Sequence, residues 1–152
     1  MILGICLTVS ALPASACWHE AAARYGVDPQ LLCGLAKVES SFNSRAENRS
    51  HIQKTKSTDI GELQVNSRWL KKLAKYGITR EDLFDSCVSR NIGAWIISDL
   101  LHRMGDTWEA VGAYNAACTN LTPEECREAR SEYAWKVYRA MNSRACQSLG
   151  QS

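Results

Sequence analysis

DPQLLCGLAKVESSFN, residues 28–43, opens on a helix start. An Asp side chain can accept a hydrogen bond from the first turn, and proline at the first helical position lacks only an N–H that would find no partner inside the helix. Leu31, Leu32, Leu35 and Val38 then recur at helical spacing, which predicts a helix to about Ser40 with one apolar face. Glu39 follows Leu32, Leu35 and Ala36 by seven, four and three residues, so its carboxyl projects from that same face. It also occupies the last turn, where the helix macrodipole disfavours negative charge. Apolar surroundings and the dipole both favour the protonated form, and a carboxyl that keeps its proton near neutrality can act as a general acid. The competing reading is a rim carboxylate or an ion pair with a nearby Arg or Lys.

The flanking sequence extends the helical pattern. Trp18 to Tyr25 predicts a short helix stopped by Gly26. Residues 43–58 are polar and without periodicity, and read as a long loop, a feature that in compact domains is often functional. Asp59-Ile60-Gly61-Glu62 has capping-box spacing, which predicts a helix from there toward Lys75, ended by Gly77. Ser89 to Met104 is strongly apolar, with Gly105 at its end, and Asp106 is placed to cap a helix from Trp108 to about Asn115. Thr122-Pro123-Glu124-Glu125 is a second capping box with proline at the first helical position. It opens a helix through about Met141, with Tyr133, Val137, Tyr138 and Met141 as its buried stripe. The expectation is a mainly α protein, one domain, with little or no sheet. Trp69, Trp95, Trp108 and Trp135 could stack on ligand rings, but on amphipathic helices they read as core.

Composition narrows the class. The net charge of +2 leaves no nucleic-acid footprint. Met1 to Ala16 carries no charged side chain, is apolar from Ile2 to Leu12, and ends in the small-x-small Ala14-Ser15-Ala16. This reads as a cleaved secretory leader over residues 1–16, although its start lacks Lys or Arg, and it is too short for a membrane span. The mature domain is then 17–152. Cys6 departs with the leader, and Cys17, Cys33, Cys87, Cys118, Cys126 and Cys146 remain, an even set compatible with three disulfides in fifteen connectivities. Cys17 with Cys87 and Cys118 with Cys126 are candidate pairs that spacing alone does not establish. No CxxC pair exists, and His19, His51 and His102 make no HExxH pattern, so no metal site is predicted.

Three blocks occur in order: Glu39-Ser40-Ser41-Phe42-Asn43 followed by Ala46, then Asp59-Ile60-Gly61-Glu62-Leu63-Gln64, then Ala113-Tyr114-Asn115-Ala116. Together they resemble the lytic transglycosylase family, which has a goose-type lysozyme-like fold. Gly93-Ala94-Trp95-Ile96 and Trp108 to Gly112 resemble its small subgroup associated with secretion systems, including type III secretion, and pili. The resemblance implies a periplasmic enzyme that cleaves peptidoglycan glycan strands between N-acetylmuramic acid and N-acetylglucosamine. Glu39 would be the catalytic acid and then base. Ser40 would steady the substrate or the acid, Gly61 and Gln64 would line the cleft floor, and Tyr114 and Asn115 would close the opposite wall, Tyr114 hydrogen-bonding near Glu39. The muramyl C6 hydroxyl would attack the anomeric carbon, giving a 1,6-anhydro sugar with no cofactor. Secretion-system components would be partners. A non-catalytic peptidoglycan-binding adaptor built on the same cleft is the alternative.

The chain departs from the family pattern at Glu62, where an apolar residue is usual, at Leu63 in place of Met, and at Ala117 in place of the third block's last glycine. Asp59 and Glu62 could therefore bring a second carboxylate to the acid. Hydrolytic glycosidases use two carboxyl groups across the scissile bond, so Asp59 could stabilise oxocarbenium-like charge or act as nucleophile. The plainer role for Asp59 is the N-cap of the following helix, with Glu62 as its box partner.

Overall fold

The computed structural model describes residues 16–151. The leader read at residues 1–16 falls almost wholly outside them, as does Cys6. Among the described residues there are eight α-helices and one small antiparallel sheet.

Helix α1 (Ala16–Tyr25) leads through Gly26 into α2 (Pro29–Ser40). Asp28 caps α2, its Oδ1 accepting from the Gln30 N–H at 2.7 Å. The helix stops because Ser41 and Phe42 both take left-handed backbone angles, φ 53° and 66°. Its Leu31, Leu32 and Leu35 are buried in the core. The long α5 (Ser86–Met104) runs through the centre, capped by Asp85 accepting from the Val88 N–H at 2.9 Å, and packs on α1. Two further helices, α6 (Trp108–Ala113) and α7 (Pro123–Met141), pack on each other, and α7 also packs along α2. A short α8 (Arg144–Gln147) follows.

Gly34 sets the approach of α2 to α7. A Cβ there would lie 2.6 Å from Met141 Cγ and 3.0 Å from the Val137 carbonyl oxygen, so no side chain fits. The two helices run antiparallel at this contact: moving from Gly34 to Glu39 on α2 corresponds to moving from Met141 back to Tyr133 on α7. Close packing at one end thus seats Glu39 against Tyr133 at the other.

Disulfides join Cys17 to Cys87, Cys118 to Cys126, and Cys33 to Cys146. The first two are the candidate pairs; the third ties α2 to α8. The long bridges span 70 and 113 residues, and in the chain-entropy account each contributes about 4–5 kcal/mol by restricting the unfolded chain.

The sheet has three two-residue strands in the order β1 (Glu47–Asn48), β2 (Asp59–Ile60), β3 (Val65–Asn66). Asp59 sits opposite Asn48 on one side and Asn66 on the other. A single helical turn, α3 (Ile52–Thr55), lies in the β1–β2 connection, so the polar loop read at 43–58 carries a strand and a turn.

The helix expected from Asp59 does not form. Gly61 and Gln64 have φ 76° and 47°, outside the helical region, and a Cβ on Gly61 would lie 2.0 Å from the Leu83 carbonyl oxygen. Asp59 is consequently a strand residue and caps nothing. Only short pieces follow: a 3-10 turn at Ser67–Trp69, α4 (Leu70–Leu73) and a 3-10 turn at Ala74–Tyr76, ended by Gly77 at φ 73°. Elsewhere the differences are small. Helix α5 begins three residues earlier than read, and Thr107, not Asp106, caps α6. The Thr122–Glu125 capping box is present in full. Tyr138, read as part of the buried stripe of α7, is instead exposed.

Candidate active site

Glu39 reaches the surface at the last turn of α2, on the wall of a groove of about 330 Å³. Val38, Asn115, Ala129, Glu132, Tyr133 and Lys136 line the rest. The Tyr133 hydroxyl donates to Glu39 Oε1. Among the described residues no cation pairs with Glu39, and the nearby Lys136 ammonium is held by Glu132 at 2.7 Å. Burial raises the Glu39 pKa from 4.5 to about 7, the Tyr133 hydrogen bond works against that rise, and the negative charge of Asp59 adds to it. The carboxyl is therefore substantially protonated at neutral pH while open to the groove. Desolvation without a counter-charge is the arrangement that makes a carboxylic acid a proton donor.

Asp59 is held from two sides. Its Oδ2 lies 2.6 Å from His51 Nε2 and its Oδ1 accepts from Asn66 Nδ2 at 2.7 Å. Its charge is felt at Glu39 and again at Tyr114. The Tyr114 phenol is driven well above its ordinary pKa, first by burial and then by the charges of Glu39 and Asp59, so it stays a protonated donor. Its hydroxyl gives that proton to the Leu63 carbonyl at 2.9 Å; the hydrogen bond to Glu39 comes from Tyr133.

The turn Gly61–Gln64 is a junction for the whole site. Ser40 Oγ donates to the Glu62 carbonyl at 2.8 Å, tying the end of α2 to the turn. Ser89 Oγ accepts from the Leu63 N–H at 3.1 Å, and Gln64 Nε2 donates to the carbonyls of Gly61 and Ala46 at 2.8 and 3.3 Å. Glu62 points the other way. Fully buried, it accepts from Arg90 Nε and Nη2 at 3.0 Å each, and the Arg90 guanidinium lies 3.8 Å over the Trp18 ring. The reading of Glu62 as a carboxylate near the acid is corrected by this geometry: its charge is cancelled inside the core.

Glu39 and Asn115 thus share the lining of one groove, and Asp59 and Tyr114 are near enough to Glu39 to interact with it by charge. The side chains of Ser40 and Gln64 are engaged in the Gly61–Gln64 turn, and that of Glu62 is engaged with Arg90 in the core. Two further residues belong to the site. Tyr133 had only a helical stripe to announce it, and His51 only a place in a polar loop; no local pattern connects either to Glu39 or Asp59. Trp108 and Trp135, read as core, are 48% and 57% exposed and stack edge-to-face on Tyr138 beside a separate groove on another side of α7. Trp69 and Trp95 do pack against the core. No cluster of three or more His, Cys, Asp or Glu among the described residues could hold a metal ion.

The Transglycosylase SLT domain matches residues 16–136. The chain belongs to this family. It is 36% identical over 126 residues to invasion protein IagB of Salmonella typhimurium, covering 82% of this chain and 76% of that one. It is 36% identical over 124 residues to protein IpgF of Shigella flexneri, 81% and 77% of the two chains. A peptidoglycan-binding-like protein of Escherichia coli O157:H7 is 33% identical over 141 residues, 90% and 82%. As an SLT transglycosylase it is an enzyme of the lytic transglycosylase type, with peptidoglycan as substrate and a lysozyme-like fold. Among its described residues no helix is long and apolar enough to cross a membrane.

Proposed function

We propose that Glu39 is the acid, and then the base, that cleaves the β-1,4 bond between N-acetylmuramic acid and N-acetylglucosamine. Protonated Glu39 delivers its proton to the glycosidic oxygen, and the bond from that oxygen to the muramyl C1 breaks. The C1 electron deficit faces Asp59, whose carboxylate offsets the oxocarbenium-like charge. The ionised Glu39 then takes the proton of the muramyl C6 hydroxyl as its oxygen attacks C1, leaving a 1,6-anhydro end and an acid ready for another cycle. Tyr114, Tyr133 and Asn115 frame the sugar, while Ser40, Gly61 and Gln64 hold the floor. The observation that carries this reading is the buried, cation-free Glu39 beside an open groove, with a pKa of about 7.

Attack by water in place of the C6 hydroxyl would give a reducing end, and the charge of Asp59 close to the acid is what favours that second route. The site of action is the periplasm, reached through cleavage of the leader, and the cell-level task is a local opening of the wall for a secretion apparatus. Support comes from the leader-like first sixteen residues, the subgroup resemblance, and relatives such as one named an invasion protein.

Purified protein on cell-wall sacculi tests the reading. Clearing by wild type with a loss of about 10³-fold or more in Glu39→Gln is expected. Equal clearing by both would remove Glu39 from its role, and sacculus binding without clearing by either would favour an adaptor. Mass spectrometry of the released muropeptides separates anhydro from reducing ends. An Asp59→Asn variant with unchanged rate would end the lysozyme-like route and take from Asp59 the charge-offsetting role in the anhydro route as well.

A further inference from the structure

Five side chains around Asp59 close into a ring. Asp59 Oδ2 meets His51 Nε2 at 2.6 Å, and His51 Nδ1 meets Thr55 Oγ1 at 2.7 Å. Ser57 Oγ donates to Thr55 Oγ1 at 2.9 Å. Asn66 Nδ2 donates both to Ser57 Oγ at 3.0 Å and to Asp59 Oδ1 at 2.7 Å, which returns to the start. The orientations of Asn66 and of the His51 ring follow from their neighbours. Asn66 Oδ1 accepts from the Arg68 N–H at 3.1 Å, so its amide nitrogen must face the ring. An ionised carboxylate only accepts, so Nε2 of His51 carries the proton that points at Asp59. Thr55 can serve Nδ1 as a donor, or accept from it by turning its own proton to the His51 carbonyl at 3.1 Å. His51 stands at the N-cap position of α3 yet caps nothing, its side chain being turned wholly to this ring.

The ring joins the β1–β2 connection to β2 and β3. The proton transfers proposed above use none of its members; Asp59 enters the reaction only by offsetting charge at C1. The effect of the ring is to leave the Asp59 carboxyl no freedom of rotation. The charged and titratable groups sharing its surroundings are His51 at the start of α3, Arg68 in the 3-10 turn after β3, whose guanidinium donates to the Thr55 carbonyl, Glu39 on α2, Tyr133 on α7 and Tyr114 after α6. Against Glu39, Asp59 acts by proximity of charge, and that influence depends on the carboxylate staying where the ring puts it.

We propose that His51 is a positioning residue: it pins the Asp59 carboxylate beside Glu39 and so helps set the pH range over which Glu39 holds its proton. The inference rests on the reading of Glu39 as the acid, and it deepens that reading by adding a residue that touches no substrate. A role confined to stabilising the hairpin would change stability and leave the Glu39 titration alone.

The test is a carboxyl ¹³C NMR titration of Glu39 in the resting protein, assigned by comparison with Glu39→Gln. Wild type is set against Asp59→Asn, His51→Ala, His51→Phe and His51→Gln. Asp59→Asn removes the neighbouring charge and lowers the Glu39 midpoint by about half a pH unit or more. His51→Ala, or the space-filling His51→Phe if the former does not fold, lowers it in the same direction, because Asp59 is no longer held in place. His51→Gln retains a neutral N–H donor and stays within about 0.2 pH units of wild type. A Glu39 midpoint unmoved in a folded His51→Ala or His51→Phe protein, while Asp59→Asn lowers it, overturns the assignment of His51. Failure of the acid reading has a different signature, since the sacculus assay would then show Glu39→Gln clearing like wild type whatever the titration gives.

Discussion

Glu39 and Glu62 are two glutamates withdrawn from water on either side of the same junction, and the protein treats them oppositely. Glu62 meets Arg90 through two parallel hydrogen bonds of 3.0 Å, with Trp18 stacked on the guanidinium. Glu39 meets a tyrosine hydroxyl and a groove. Burial penalises the charged form of both, but only one is given a cation to offset it. Withdrawal from water therefore does not by itself make a proton donor. The missing counter-charge does, and the Ser40 hydroxyl bonded to the Glu62 carbonyl keeps the two environments back to back.

Removing the cation from the paired glutamate gives the largest effect. Arg90→Ala strands a buried carboxylate and is expected to cost about 3–5 kcal/mol, read as a drop in the urea unfolding midpoint at pH 7. The double variant Glu62→Leu with Arg90→Leu should recover most of that loss, because no charge is left to desolvate. A single Arg90 variant as stable as wild type would mean that Glu62 tolerates burial unpaired, and the contrast with Glu39 would collapse.

Removing the carboxyl from the unpaired site should act in the other direction. The Glu39 pKa is raised from 4.5 to about 7 on folding, so the folded protein holds this proton more tightly than the unfolded chain. The stabilisation is complete below about pH 4.5 and is lost as pH rises through about 7. Glu39→Gln should match wild type at pH 4 and exceed it at pH 8, by about 2–3 kcal/mol at most. Thermal unfolding at the two pH values checks both the sign and the window. A variant less stable than wild type at pH 8 would show that ionised Glu39 has a stabilising partner.

How much of this contrast was legible in the sequence follows from what each residue needs. For Glu39 the sequence carried only the local part, its place on the leucine face at the end of a helix started by Asp28-Pro29, which left a buried acid and a rim carboxylate both open. The groove and the Tyr133 hydroxyl come from residues 76 to 97 positions away. The mainly α fold and the capping box at Thr122 were legible because their signals are local. Glu62 misled because Asp59-x-x-Glu62 mimics a capping box, whereas Gly61 and Gln64 take positive φ and the Leu83 carbonyl sits where a Cβ on Gly61 would be. Arg90, His51 and Tyr133 gain their roles only through contacts across 28, 8 and 94 positions, which no periodicity encodes. The exposed Trp108, Trp135 and Tyr138 escaped because a helical stripe shows which residues align but not whether another element covers them.

The smallest predicted effect bears on the donor that Glu39 does have. Tyr133 gives Glu39 a neutral hydrogen bond where Arg90 gives Glu62 a cationic one, and that bond works to lower the Glu39 pKa against the rise from burial. Tyr133→Phe deletes the hydroxyl and puts nothing polar in its place. Loss of the donor and a more apolar surrounding push the same way, so the Glu39 pKa must climb above about 7. The alkaline limb of the rate profile on sacculi should then move to higher pH, by about half a unit, with the plateau rate reduced a few-fold as the acid loses its anchor. Asp59→Asn, which removes a charge that raises the same pKa, should move the limb down, and the double variant should return it toward wild type. If Tyr133→Phe moved the limb down, the hydroxyl would be favouring the protonated acid, and the difference between the two glutamates would lie in the donors they meet and not in the missing cation.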